Sequence, residues 1–163
     1  MSRLPSILVV CLLVVVLISG CGESGAEAGA RVTVYVSAPL HGAAATAGKR
    51  LCAGARDGAA RVGGEVEDLK LEVVCLDAAG DGGHWTLAKV GSNARKATED
   101  STTVAYVGEP DPRARKQSRP IVDAAEIAEI SGISGEDAVA AVIEAIGEGD
   151  ASKPRDAVFK AEG

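Results

Sequence analysis

Between Arg31 and Ile146 the chain alternates between two hydrophobic periods, and this limits the fold more than any other feature. Arg31-Val-Thr-Val-Tyr-Val-Ser37 is apolar at nearly every position, which predicts a strand covered on both faces. Leu51, Ala55, Ala59 and Val62 recur at helical spacing and predict a helix from Thr46 to Val62. Leu69 to Asp77 is the second predicted strand, and Leu87, Val90, Ala94 and Ala97 mark a second helix ending near Asp100. Thr102 to Gly108 is the third strand. Asp111-Pro112 supplies an N-cap and a first-turn proline for a third helix running to about Ala125. Ile127 to Ser131 is a short fourth strand, in which Glu129 marks a sheet edge or a strand end. Ser134-Gly-Glu-Asp137 has a capping-box pattern, and Val139, Val142, Ile143 and Ile146 form the stripe of a fourth helix. A last short helix follows Pro154. Such alternation predicts an α/β fold, a three-layer α/β/α sandwich around a parallel four-stranded sheet.

The N-terminal stretch has a different character. Arg3 is the only charge before Glu23, and Ile7 to Ile18 is almost wholly Leu, Ile and Val. That run is shorter than the about 20 residues of a membrane span and suits the h-region of a secretory signal. Ile18-Ser19-Gly20-Cys21 then matches the lipobox of bacterial lipoproteins, in which the cysteine thiol is acylated and becomes the first residue after cleavage. Acyl chains partition into a bilayer at about 0.8 kcal/mol per buried CH₂, so several of them hold a small protein firmly. A plain signal peptide with an ordinary Cys21 is the competing reading. The expected organisation is a signal peptide over residues 1–20, a flexible tether over 21–30 without periodicity, and one domain over 31–163. The expected location is the extracytoplasmic side of the cell membrane, lipid-anchored through Cys21.

Charge and aromatic content exclude one class of partner. The 17 Lys and Arg are outnumbered by 23 Asp and Glu, and the aromatics are Tyr35, Trp85, Tyr106 and Phe159. Nucleic acid binding calls for a basic face and stacking platforms, and neither is present.

Ligands on a parallel sheet sit at the carboxyl ends of the strands. Those ends are Ser37 to Gly42, Asp77 to Gly83, Gly108 to Asp111 and Ser131 to Ser134. Gly80-Asp-Gly82-Gly-His-Trp85 begins like a dinucleotide fingerprint, but Trp85 stands in place of the third glycine. Gly132-Ile-Ser134-Gly135 is one residue short of a nucleophile elbow, and helix capping explains Ser134 better. The histidines are His41 and His84, and they have no spacing to each other or to cysteine that suits a metal. The expectation is a protein that is not an enzyme, with no catalytic residues, metal or cofactor. Cys52 on the first helix and Cys75 on the second strand belong to elements that pack together. A disulfide is allowed outside the cytoplasm, and two small buried side chains fit the positions equally well; the narrow Cα separation a bridge needs weighs towards the unbridged pair.

The order of three segments resembles a family. Val32-Thr-Val-Tyr-Val-Ser-Ala-Pro-Leu-His-Gly42, Asn93-Ala-Arg-Lys-Ala-Thr-Glu-Asp-Ser-Thr-Thr-Val-Ala-Tyr-Val-Gly-Glu109 and Ser118-Arg-Pro-Ile121 are similar to type I periplasmic substrate-binding proteins of branched-chain amino acid ABC transporters, the leucine-binding proteins. The likeness covers about Arg31 to Ser131, and Glu136 to Phe159 looks like the helices that return to the first lobe. Members of that family have two lobes that trap ligand between them. Here the segment between the fourth strand and the returning helix is missing, so the resemblance implies a Rossmann-like single lobe. It also implies a hydroxyl residue shortly after the third strand to hold a ligand carboxylate, where this chain has Pro112, which has neither hydroxyl nor N–H. Ser131-Gly-Ile-Ser-Gly135 replaces a Ser-Pro-Ala-Ala-Thr-like loop.

Leu40, His41, Glu109, Pro110, Asp111, Ile133 and Ser134 are then expected to crowd one rim, whose two carboxylates disfavour an anionic ligand. Ser37 and Ser131 complete the candidate ligand-binding set. The function the resemblance implies is non-enzymatic binding or sensing of an amino acid or other small solute beside an ABC permease. The alternatives are a protein-interaction module, whose strand-end face meets a second protein or another copy, and a degenerate remnant that has lost ligand binding.

Overall fold

A computed structural model describes residues 30–162. The expected signal peptide, Cys21 and the tether up to residue 29 lie outside the described residues.

The strands are β1 (Arg31–Ala38), β2 (Glu65–Val66), β3 (Leu69–Asp77), β4 (Thr103–Val107) and β5 (Ala128–Ile130). The helices are α1 (Ala45–Arg61), α2 (Leu87–Glu99), α3 (Pro112–Asp123), α4 (Gly135–Glu148) and α5 (Pro154–Glu162). The sheet order is β2-β3-β1-β4-β5. β1 pairs in parallel with β3 up to Ala38 opposite Asp77 and with β4 up to Val36 opposite Val107, while Val107 lies opposite Ile130. This register sets the carboxyl ends of β1, β3 and β4 side by side. β5 lies at one edge, as Glu129 indicated.

The expected four-stranded parallel sheet is corrected by a fifth strand. β2 pairs antiparallel with β3 through a tight turn in which Glu67 and Asp68 take positive φ. Two residues carry no readable period, and Glu-Asp is not the Asn-Gly or Asp-Gly pair that announces such a turn.

Strand alternation sorts the core into two layers. Val32, Val34 and Val36 face a cluster with Ala55 and Ala59 of α1, Val139, Val142 and Ile146 of α4, and Val158 of α5. Tyr35 faces the other way, where Tyr106 packs with Ala94 and Ala97 of α2 and Val122 of α3. Helices α1 and α4 approach closely: a Cβ at Gly135 would lie 2.0 Å from the carbonyl oxygen of Leu51. Cys52 and Cys75 are joined in a disulfide across α1 and β3, with Cα atoms 6.0 Å apart. Arg155 ties α5 to the start of β4, donating from Nε to the Thr103 carbonyl at 2.7 Å and from Nη2 to that of Ser101 at 2.9 Å. No helix among the described residues is long and apolar enough to cross a membrane.

Candidate functional site

Two strand-end loops are locked to each other. Gly42 and Gly83 both take positive φ, and a Cβ at Gly42 would stand 2.2 Å from the Cα of Gly83. The Ala44 N–H donates to the Gly83 carbonyl. Beside this contact, the His41 ring bonds the Asp77 carboxylate through Nδ1 and meets the Gly80 carbonyl through Nε2 at 3.2 Å. Asp77 also accepts from the N–H groups of Leu40 at 2.8 Å and Ala79 at 2.9 Å. Burial pushes its carboxyl up, but those N–H groups and His41 outweigh this and hold it below the usual range. Gly83→Ala meets both a left-handed φ and a backbone clash, so it is expected to lower stability by about 1–3 kcal/mol. A chemical-denaturation midpoint measures this, and Gly82→Ala, where a Cβ meets open space, is the control.

A cleft of ≈450 Å³ opens at the ends of β1 and β4. Pro39, Ala44, Ala47 and Gly48 form one wall, and Trp85, Pro110, Asp111 and Arg113 form the other. Asp111 organises that second wall. It caps α3 by accepting from the Arg113 N–H at 2.8 Å, takes the Arg113 guanidinium at 2.8 Å, and accepts from the Trp85 indole at 3.0 Å. The guanidinium carbon also sits 5.8 Å from the Trp85 ring centroid. The Arg113 side chain, its backbone N–H and the Trp85 indole hold the Asp111 carboxyl far below its ordinary range. Helices α2, α3 and α4 are capped by the side chains of Thr86, Asp111 and Ser134, whereas Ala44 leaves α1 without a side-chain cap at the cleft wall. The Ala45 N–H donates to the Gly42 carbonyl at 3.2 Å, and the next first-turn N–H groups of α1 add positive potential there.

The cleft brings Glu109, Pro110 and Asp111 together, but its two carboxyl groups are not the exposed pair expected. Glu109 is 1 % exposed. Its Oε1 accepts from the Ser37 hydroxyl at 2.5 Å and the Tyr106 hydroxyl at 3.2 Å, and Asn93 of α2 donates to Ser37 at 2.9 Å. Burial pushes the Glu109 carboxyl up to about 7, against the pull of the two hydroxyls. Glu109 and Asp111 both line the cleft, but Glu109 is almost wholly buried there and Asp111 is paired to Arg113, so neither is a free surface carboxylate. Burial of Glu109 and the pairing of Asp111 with Arg113 weaken the repulsion expected for an anionic ligand.

The other candidates are spread out. Ser37 is fully buried beneath the cleft. Leu40 is half-buried against the core, and His41 belongs to the loop lock. Ser131 accepts from Arg115 and lines a hollow of ≈300 Å³ with Leu51, Pro110 and Ile133. Ser134 caps α4, accepting from the Asp137 N–H at 3.1 Å, and borders a third hollow of ≈410 Å³. Pro110 is common to all three spaces. Sequence reasoning missed Trp85, Arg113 and the start of α1 as cleft walls. An aromatic at one strand end and an arginine two residues past an N-cap were the available signals. Among the described residues no group of three or more His, Cys, Asp or Glu is placed to hold a metal ion.

The sequence matches no family model and no curated protein. Solved structures do share the fold. The leucine-binding protein LivK from Thermotoga maritima superposes with a TM-score of 0.53 at 18% identity, over 61% of this chain and 27% of that one. The branched-chain amino acid transporter substrate-binding protein LivJ from Streptococcus pneumoniae, in complex with isoleucine, gives 0.54 at 19%, over 62% and 28%. A solute-binding protein of an ABC transporter from R. palustris, in complex with 4-hydroxybenzoate, gives 0.54 at 16%, over 82% and 44%. The chain has the fold of one lobe of an ABC transporter substrate-binding protein. It spans 27% to 44% of the length of these substrate-binding proteins. Between β5 and α4 only residues 131–134 intervene, so no second lobe is inserted at that crossing of the substrate-binding fold.

Proposed function

We propose that this protein is a lipid-anchored, extracytoplasmic lobe that binds or senses a small solute without transforming it, beside an ABC permease. The ≈450 Å³ cleft carries this reading. It lies at the strand ends, within the size range of small-molecule sites, and combines an apolar lining with one guanidinium and an uncapped helix start. That chemistry suits a small solute with an apolar body against Trp85 and a carboxylate against the first turn of α1. The similar structures hold isoleucine and 4-hydroxybenzoate, both small carboxylates, which supports the same class of ligand here. Trp85 is the only tryptophan of the chain. Its emission is expected to change saturably on titration with one of these two solutes; unchanged emission with both speaks against the reading.

Anchoring has its own test. Cys21→Ala is expected to release the protein from membranes or to leave an uncleaved precursor. An unaltered membrane fraction and an unaltered mature mass contradict the anchor. The disulfide between Cys52 and Cys75 supports the same compartment, because such bonds persist where the surroundings are oxidising.

One observation favours a second reading, a protein-interaction module. Ile133 is 46 % exposed beside the hollow it shares with Leu51 and Pro110, on the same strand-end face as the cleft. Sedimentation showing self-association that is abolished by Ile133→Asp favours this reading; a monomer at all concentrations removes it.

A further inference from the structure

The cleft floor at Glu109 opens onto a buried polar layer whose carboxyl groups the solute-binding reading does not use. Glu109 presents Oε1 to the hydroxyls of Ser37 and Tyr106, while its Oε2 is buried without a partner. Glu129 of β5 enters the same layer: its carboxyl lies against Gly108, so that a side chain at Gly108 would collide with it, and its Oε2 also lacks a partner. The groups around Glu109 are Ser37 from β1, Tyr106 from β4, Asn93 from α2 through Ser37, and the acidic Glu129 from β5. None is a cation. Burial pushes the Glu129 carboxyl up as well, against the Ser118 hydroxyl at 2.8 Å and the charges of Arg119 and Arg115 of α3, with Asp123 opposing them. A second negative charge in this layer has no counter-charge, and burying an unpaired carboxylate costs several kcal/mol.

The cheapest relief is local. Glu109 stands on the segment from Gly108 to Asp111 that leads from β4 to α3, and Pro110 in that segment is exposed. Swinging this segment outward hydrates the carboxylate at the loss of one sheet hydrogen bond, from the Gly108 N–H to the Ile130 carbonyl at 2.8 Å. The same segment carries Pro110 and Asp111, and Asp111 holds Trp85 and Arg113. We propose that Glu109 is a proton-operated latch on the cleft: protonated, it keeps residues 108–111 seated and the Trp85 wall in place; ionised, it releases them. Burial, and secondarily the Glu129 charge, raises the Glu109 carboxyl, which places the switch near neutral pH. The direction follows from the raised value. The stabilisation from the seated segment is complete below the ordinary carboxylate range and is lost as pH rises through about 7.

The test is a pH series on the full chain, reading Trp85 emission and the amide-exchange protection of Gly108, whose N–H donates to the Ile130 carbonyl at 2.8 Å, after correction for intrinsic exchange. The wild type is expected to lose protection at Gly108 and to shift Trp85 emission to the red as pH goes from about 5 to 8, the window in which neutral-range groups titrate. Glu109→Gln is expected to stay closed throughout. His41 and His84 remain in that variant, so a transition that survives in it overturns the latch, as does a wild type with no transition. If Glu109→Gln does not fold, Glu129→Gln decides. Loss of the neighbouring charge is expected to move the midpoint to lower pH, and an unmoved midpoint overturns the proposal.

Discussion

A chain ending at Ser131 is expected to lose cooperative folding altogether. It removes α4 and α5, and with them Val139, Val142, Ile146 and Val158, each fully buried against the valines of β1. Burying such a side chain contributes about 1.5–3 kcal/mol, so the four together rival the about 5–15 kcal/mol that keeps a domain folded. The loss also strips backbone interactions. Arg155 no longer meets the carbonyls of Thr103 and Ser101, and the close seat of Gly135 on α1 is vacated. Circular dichroism during heating checks this. A sharp melt in the shortened chain means that the two helices are appendages rather than half of one layer. The point substitution Ile146→Ala is the milder version and is expected to cost about 2–5 kcal/mol as a buried truncation.

Replacing Cys52 and Cys75 together by alanine is the second large change expected. The bridge spans 23 residues of sequence and joins α1 to β3. Freeing a loop of that length in the unfolded chain lowers stability by about 3 kcal/mol in the chain-entropy model. Denaturant midpoints of the oxidised protein, the reduced protein and the double variant measure it. Equal midpoints for all three would show that the bridge contributes nothing beyond what packing already supplies. The strand-end cleft should survive the reduction, since neither cysteine lines it.

The α/β architecture was legible because the two periods are strong: valine at alternate positions of β1, and small apolar residues at helical spacing in α1, α2 and α4. The cap residues Asp111 and Ser134 were legible for the same local reason, as their hydrogen bonds reach only two or three residues ahead. The fifth strand was not, being two residues long and defined by its pairing with β3 rather than by any pattern of its own. The burial of Glu109 was not legible, because Gly108-Glu-Pro110 reads as a loop. What buries it is Ser37, 72 residues away in sequence. The Trp85–Asp111–Arg113 wall has the same origin, since Trp85 and Asp111 are 26 residues apart and meet only once β3 and β4 are laid on either side of β1. For the cysteines, the sequence placed both on packed elements, but bridging is decided by a Cα separation that only the fold supplies.

We propose that this lobe, with no second lobe inserted between β5 and α4, holds a small solute in the cleft between α1 and Trp85. Isothermal titration calorimetry with isoleucine and with 4-hydroxybenzoate tests it most directly, run on the wild type and on Ala47→Glu, which narrows the cleft and sets a carboxylate at the start of α1. A saturable heat with one solute per chain is expected for at least one of the two, and it is expected to disappear in Ala47→Glu. No heat from either solute, or a heat that Ala47→Glu leaves unchanged, would contradict it.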